Sequence, residues 1–123
     1  MEEAAVRILV VDDEAKIRDL LKGALESSYE VYLAQDGSDG LRQVRWVKPH
    51  LILLDVRMPG LDGFAVLARL RAHPETSAIP VIIVSAKGET RAIFEGQAGG
   101  AVDYILKPFD LQELRKTIER NLA

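Results

Sequence analysis

Short runs of apolar residues alternate along the chain with segments of helical periodicity. Four runs are too compact for helices and consist mainly of β-branched residues and leucine, which is typical of buried strands. A shorter run at Val31–Leu33 predicts a fifth strand. The predicted strands therefore cover residues 8–11, 31–33, 51–54, 81–84 and 102–106.

Between these runs, apolar residues recur every three or four positions, as they do on one face of a helix. The stripes assign Leu20 to the buried face of a first helix and Ala68 to that of a third. Three glycines weaken the helix predicted over 88–100, because each costs up to about 1 kcal/mol relative to alanine inside a helix. The other predicted helices lie around residues 17–25, 41–47, 64–71 and 111–122.

This strict alternation of strand and helix predicts an α/β fold with helices on both faces of a parallel sheet. Three strands are continuously apolar, whereas those near Val31 and Tyr104 alternate with polar residues. Unbroken strands belong in the middle of a sheet and alternating ones at its edges. The pattern therefore places the second and fifth strands outermost, which is compatible with a five-stranded sheet in the flavodoxin-like order 2-1-3-4-5, in which ligands bind beyond the carboxyl ends of the strands.

Composition limits the function classes. The 123 residues suffice for one domain, predicted over 1–123, and they carry 16 basic and 19 acidic side chains with no cysteine. A net charge of −3 gives no basic surplus for direct nucleic-acid binding. Lack of cysteine excludes disulfides and thiolate chemistry. With no apolar run of about 18 residues and no basic segment before an apolar one at the start, we expect no membrane contact and a cytoplasmic location.

Polar residues end four of the predicted strands. They are Asp12 with Asp13, Asp55, Ser85 and Lys107, and all of them are expected at the ligand-binding edge of the sheet. Three carboxylates in one cleft raise each other's pKa values unless a cation joins them. Mg²⁺ fits best, because it binds carboxylates while keeping positions for water and phosphate oxygens. With a lysine and a hydroxyl, these groups indicate phosphoryl transfer, in which an aspartate can be the nucleophile.

Four stretches in register resemble the receiver domain of two-component response regulators, and the resemblance covers essentially the whole chain. The stretches are Ile8–Glu14, Leu53–Gly63, Val84–Ala86 and Gly100–Phe109. The resemblance implies that Asp55 is the phosphoacceptor, that Asp12 and Asp13 join it in holding Mg²⁺, and that the backbone carbonyl of Arg57 is a further ligand. It also implies that Ser85 and Lys107 contact the phosphoryl group, that Tyr104 is a switch residue, and that the Lys107–Pro108 bond is cis.

The resemblance further implies a signalling phosphoacceptor rather than a conventional enzyme, with Mg²⁺-dependent self-phosphorylation and self-dephosphorylation. The expected donor is a histidine kinase or a phosphotransfer protein. A downstream protein is expected at the face formed by the fourth helix, the fifth strand and the last helix, with the chain a monomer or a phosphorylation-dependent dimer. Arg57 and Lys87, two residues past Asp55 and Ser85, are expected to shield the phosphoryl group from water.

Several alternatives remain at this point. A hydrolase of the haloacid dehalogenase type would place a second aspartate where Arg57 stands, and a flavodoxin-like carrier would need a phosphate loop where the acidic pair stands. The chain could also be a receiver cut from a longer regulator, although Val102 and Thr117 depart from the pattern of receivers that dimerise beside winged-helix domains. Asp13 could simply cap the first helix. We expect Trp46, Met58 and Phe109 to be packing or turn residues.

Overall fold

A computed structural model describes residues 5–86 and 98–122. Over these residues strands and helices alternate as the sequence predicts, and the predicted helix over 88–100 lies outside the described residues except for its last three positions. The elements are β1 (Arg7–Val11), α1 (Ala15–Leu25), β2 (Glu30–Ala34), α2 (Gly37–Val47), β3 (Leu51–Asp55), α3 (Gly63–Ala72), β4 (Val81–Ala86), β5 (Asp103–Lys107) and α4 (Leu111–Leu122).

The five strands form one parallel sheet in the order β2-β1-β3-β4-β5, which confirms the predicted fold class. Ile8 pairs with Leu51, and Leu53 pairs with Ile82, so the three apolar strands lie side by side. β1, β3 and β4 are almost wholly buried, whereas the edge strands β2 and β5 are partly exposed. All five carboxyl ends meet at one edge, which we call the rim.

Successive residues of the central strands pack into two separate apolar layers. Leu9 and Ile52 face the layer beneath α2 and α3, whereas Ile8 and Leu53 face the layer beneath α1 and α4. Full burial of such a side chain stabilises the fold by about 1.5 to 3 kcal/mol. The two layers therefore fix the sheet rigidly between its helices, and with it the positions of the strand ends.

The structure corrects three assignments made from the apolar pattern. Leu20 is 47% exposed, and Val102 precedes β5 with 50% of its surface exposed. Ala68 is exposed as well. Because α3 carries apolar residues on most sides, the pattern did not define its phase, and its buried face is formed by Gly63, Val66, Leu67 and Leu70.

Thr117 of α4 is buried although it is polar. Its hydroxyl donates to the carbonyl of Glu113 at 2.8 Å, so the polar atom is satisfied inside its own helix and the methyl group can pack in the core. The residue thus belongs to the buried face together with Leu114 and Ile118.

Within the described part of the chain, no helix has the length and apolar character needed to cross a membrane.

Both ends of α2 are held by side chains. The carboxylate of Asp36 accepts a hydrogen bond from the backbone N–H of Asp39 at 2.8 Å and caps the first turn. At the other end, Lys48 adopts a left-handed conformation with φ of 50°. Arg7 donates to the carbonyl oxygens of Val47 at 2.8 Å and Lys48 at 2.9 Å. These bonds connect the last turn of α2 to the first residue of β1.

Candidate functional site

The acidic residues of the rim come from two neighbouring strands. Val11 pairs with Leu54, so Asp12 and Asp55 follow at the adjacent ends of β1 and β3. Oxygen atoms of Asp12, Asp13 and Asp55 all lie within 4.8 Å of one another. Asp12 is 2% and Asp55 5% exposed, whereas Asp13 is exposed. The predicted carboxylate cluster therefore exists, with two members buried and one open to solvent.

Lys107 reaches this cluster from the end of β5. Its Nζ donates to Oδ2 of Asp12 at 3.1 Å and to Oδ1 of Asp55 at 3.4 Å. Burial on its own would lower the pKa of Lys107, but the charges of Asp55 and Asp12 and the two hydrogen bonds outweigh it and raise the pKa. One ammonium can balance at most one of three ionised carboxylates.

Asp55 is the group most affected by this imbalance. Its pKa is raised from the ordinary 3.8 to about 6, chiefly by burial and also by the negative charge of Asp12. Lys107 opposes the increase through its charge and its hydrogen bond. A divalent cation would restore the balance that a single lysine cannot.

The loop after β1 is held by the backbone and side chain of Asp12. Its Oδ1 accepts from the backbone N–H of Glu14 at 2.9 Å, and its carbonyl oxygen accepts from Arg18 of α1 at 2.7 Å. Glu14 occupies the N-cap position of α1 without a side-chain capping bond. The alternative in which Asp13 caps this helix is therefore wrong, and the carboxylate of Asp13 faces the other two acids instead.

Ser85 lies near the end of β4, where Ala86 pairs with Lys107. The serine is 1% exposed, and within the described residues its Oγ has no hydrogen-bond partner. A buried hydroxyl left without a partner costs about 1 to 3 kcal/mol. The rim thus holds a hydroxyl donor that an added oxyanion could satisfy.

The donor set fits Mg²⁺ in type and charge. This ion prefers oxygen ligands, binds proteins through one or two carboxylates and keeps several waters. Asp13 is accessible to solvent and lies beside two buried carboxylates, so the cluster offers oxygen ligands together with an open side for water. The backbone carbonyl of Arg57 stays a predicted further ligand.

Gly63 lies against the backbone of Asp55 at the start of α3, a position whose role sequence reasoning did not assign. Its backbone N–H donates to the carbonyl of Val56 at 2.9 Å. A Cβ atom at position 63 would collide with the carbonyl oxygen of Asp55 and would lie 2.9 Å from Cα of Val56. Only a residue without a side chain lets the first turn of α3 approach the end of β3 so closely.

The chain also matches the family model of the response regulator receiver domain across residues 8–119. It belongs to this family. The resemblance carried by the four sequence stretches is thereby confirmed, and the protein is a receiver domain of two-component signalling.

Known proteins of two kinds resemble this receiver. Protein PilH of Pseudomonas aeruginosa is 43% identical over 118 residues, which are 95% of this chain and 98% of PilH. The DNA-binding dual master transcriptional regulator RpaA of Synechocystis is 41% identical over 109 residues, which are 88% of this chain but 45% of RpaA. The chain thus matches a protein of its own length as well as the receiver portion of longer regulators.

Solved structures show the same fold. A putative response regulator from Chloroflexus aurantiacus superimposes with a TM-score of 0.94 at 35% identity, covering 98% of this chain and 99% of its own. The chemotaxis protein CheY4 of Vibrio cholerae superimposes with a TM-score of 0.91 at 31% identity, covering 97% of this chain and 100% of its own.

The other residues that the resemblance singled out differ in where they lie. The Lys107–Pro108 bond is cis, as the resemblance implied. Tyr104 on β5 is 40% exposed. The side chain of Arg57 is exposed and interacts within the receiver, and its shielding role stays a prediction. Lys87 lies outside the described residues.

The packing roles expected of three other residues differ in outcome. Met58 is buried and Phe109 packs against the layer beneath α1 and α4, as expected. Trp46 is 83% exposed, so its assignment as a packing residue is wrong. Val44 fills the core from α2 in its place, because it lies on the face of the helix that meets the sheet.

The electrostatics of Asp55 predict how stability depends on pH in the metal-free receiver. A carboxyl group whose pKa is higher in the folded than in the unfolded state binds more protons when folded, so stability falls as pH rises from 3.8 to about 6. Asp55→Asn removes this penalty. We expect the variant to exceed the parent in unfolding free energy by about 1 to 2 kcal/mol at neutral pH, after allowance for solvent screening, and by little at pH 4.

Urea unfolding in EDTA across this pH range measures the difference. Asp19→Asn, which alters an exposed carboxylate of α1, serves as the control and should follow the parent. A gap between Asp55→Asn and the parent that stays constant with pH would contradict the assigned electrostatics.

Proposed function

We propose that Asp55 accepts a phosphoryl group from a histidine kinase, a phosphotransfer protein or a small phosphodonor, with Mg²⁺ held by Asp12, Asp13 and Asp55. The observation that carries this proposal is the cluster of three carboxylates joined by Lys107 at the rim of a receiver fold. Asp55 is the central member, since it lies at the end of the middle strand and contacts the lysine.

In the proposed reaction, a carboxylate oxygen of Asp55 forms a bond to phosphorus while the P–N bond of a phosphohistidine donor breaks. The electron pair of that bond stays on the imidazole nitrogen, which takes up a proton. Bound Mg²⁺ would supply positive charge to the phosphoryl oxygens. Lys107 adds a fixed ammonium at the same place, and the hydroxyl of Ser85, which has no partner among the described residues, donates a hydrogen bond to a phosphoryl oxygen.

The same contacts provide a route from the rim to a partner. The phosphoryl group adds about −1.5 to −2 charges, and Ser85 and Lys107 meet this charge from the ends of β4 and β5. Tyr104 lies near the start of β5, three residues before Lys107, and lines a surface hollow of about 570 Å³ together with Lys116 and Arg120 of α4. We assign the downstream protein to this face, which the helix predicted over 88–100 is expected to complete.

β5 and α4 are joined by side-chain bonds at that hollow, which Asp103 and Arg120 both line. Asp103 accepts from Arg120 at 2.7 Å and from Asn121 at 2.9 Å. Burial acts to raise the pKa of Asp103, but these bonds outweigh it and lower the pKa. The two elements form a rigid base on which Tyr104 can change its exposure.

Arg57 and Lys87 complete the proposal as side chains that crowd the approach of water to the phosphoryl group.

Metal removal tests the proposed chemistry. Incubated with phosphoramidate and Mg²⁺, the receiver is expected to gain the mass of one phosphoryl group, because the ion balances the charge that Lys107 leaves uncompensated. In EDTA the gain should fall at least about tenfold, as judged by intact-protein mass spectrometry. Restoring Mg²⁺ serves as the control. Equal modification with and without EDTA would contradict the metal requirement.

A further inference from the structure

The outward side of α2 carries an aromatic and basic surface far from the rim. Trp46, the chain's single tryptophan, is 83% exposed in the last turn of the helix. Together with Leu41, Arg42 and Arg45 it lines a hollow of about 580 Å³. We call these four residues the Trp46 surface. Since α2 begins beside the rim and ends before β3 begins, Trp46 lies at the opposite edge of the sheet from Asp55.

A second hollow continues this surface towards α3. It measures about 200 Å³, and Leu41 and Arg45 line it together with Arg69 and Leu70. Because Leu41 and Arg45 line both hollows, the two adjoin and form one groove that runs from the outward side of α2 to α3. A groove that combines leucine and tryptophan side chains with arginines suits an amphipathic segment, which can insert apolar side chains and present polar ones.

The charge of the groove is opposite to that of the whole chain. The chain carries a net charge of −3, yet the groove contains Arg42, Arg45 and Arg69. Arg42 is already paired with Asp39 at 2.6 Å, so Arg45 and Arg69, both exposed, supply the cationic charge that a partner would meet. The lining of the second hollow also contains one acid, Glu75.

We propose that this groove binds an acidic amphipathic segment of another protein, with apolar side chains against Trp46 and Leu41 and carboxylates against Arg45 and Arg69. Tryptophan and arginine are the residue types that contribute most to protein interfaces, and charge complementarity selects the partner. An exposed indole contributes nothing to the core, where Val44 already fills the sheet-facing side of α2. A concave groove accommodates inserted side chains better than it accommodates a flat lipid surface.

Binding here would leave the phosphorylation chemistry accessible. The groove is formed by α2 and α3, whereas Tyr104 and α4 form the other proposed partner face, and α4 packs on the opposite side of the sheet. A protein docked at Trp46 could therefore hold the receiver in place while Asp55 still meets its phosphodonor. Such docking does not depend on Asp55 being the phosphoacceptor.

The single tryptophan makes the proposal directly measurable. The probe is a synthetic helical peptide with leucines at i, i+3, i+4 and i+7 and glutamates between them. Titrated into the intact receiver, it is expected to shift Trp46 emission to shorter wavelength with saturation, because the indole leaves water. A matched peptide with glutamine in place of glutamate should bind more weakly by about fivefold or more.

Variants of the receiver separate charge from fold. Arg45→Gln combined with Arg69→Gln should weaken binding of the acidic peptide by about fivefold or more. Lys22→Gln, which changes an exposed residue of α1, should bind the peptide like the parent. Added salt must weaken binding to the parent as well, which tests the charge contribution without any substitution.

Three results would overturn the proposal. The first is the absence of an emission shift with the acidic peptide, or an equal shift with the glutamine peptide. The second is a larger shift with anionic phosphatidylglycerol vesicles or with single-stranded DNA, which would assign the surface to a different class of partner. The third is a shift that grows with receiver concentration alone, which would show that a second copy covers the groove.

Discussion

Asp55→Asn is expected to form no phosphoryl adduct under conditions that modify the parent receiver fully. Asparagine keeps the shape of the side chain but replaces the anionic oxygen that attacks phosphorus by an amide. The substitution removes a buried negative charge, so the variant should remain folded, and its expected gain in metal-free stability provides an internal check. Intact-protein mass after incubation with phosphoramidate and Mg²⁺ measures the adduct.

Asp19→Asn is the matched control, since it makes the same chemical change at an exposed position of α1. It should be phosphorylated like the parent. If Asp55→Asn gained a phosphoryl group as readily as this control, another residue would be the acceptor, and Asp13, the exposed member of the cluster, would be the first to examine.

Gly63→Ala is expected to lower the unfolding free energy by about 1 to 3 kcal/mol, the usual cost of overpacking. The added methyl group would collide with the carbonyl oxygen of Asp55 and with Cα of Val56. Both are backbone atoms, which cannot rotate away as the end of a flexible side chain can. The end of β3 must then move, so the variant should also be phosphorylated more slowly. Chemical unfolding and the rate of adduct formation provide the two measurements.

Gly23→Ala is a matched change at an open position of a helix, because, apart from the backbone of its own helix and its chain neighbours, no described residue lies within 4 Å of a Cβ at that position. It should stabilise the receiver by up to about 1 kcal/mol through helix propensity alone. Opposite signs for the two variants support the close approach of α3 to Asp55. A Gly63→Ala variant as stable and as active as Gly23→Ala would refute it.

The edge positions of β2 and β5 were predictable from the apolar pattern of the strands, and the rim cluster was predictable from the residues at the strand ends. Unbroken apolar strands must be central, and parallel strands place their last residues at one edge, so Asp12, Asp55 and Lys107 had to lie near one another. No knowledge of the loops was needed for this inference. The long side chain of Lys107 can then reach the carboxylates of both Asp12 and Asp55.

Features that depend on loop paths or on helix phase were not predictable in this way. The contact of Gly63 with Asp55 depends on how the β3–α3 loop turns, and the sequence shows only a glycine before an apolar run. Ala68 was misassigned because α3 is apolar on most sides. Trp46 was expected to be a packing or turn residue, yet it is exposed in α2, and Val44 occupies the core-facing position of that helix.

Borohydride reduction of the phosphorylated receiver, followed by peptide sequencing by mass spectrometry, tests most directly whether Asp55 is the phosphoacceptor. Borohydride reduces the acyl phosphate of an aspartate to the alcohol and so converts the acceptor to homoserine. We predict homoserine at position 55, only after incubation with phosphodonor and Mg²⁺, with Asp12 and Asp13 unchanged. Homoserine at position 12 or 13, or its absence from position 55 in a protein that carries the phosphoryl mass, would contradict this assignment.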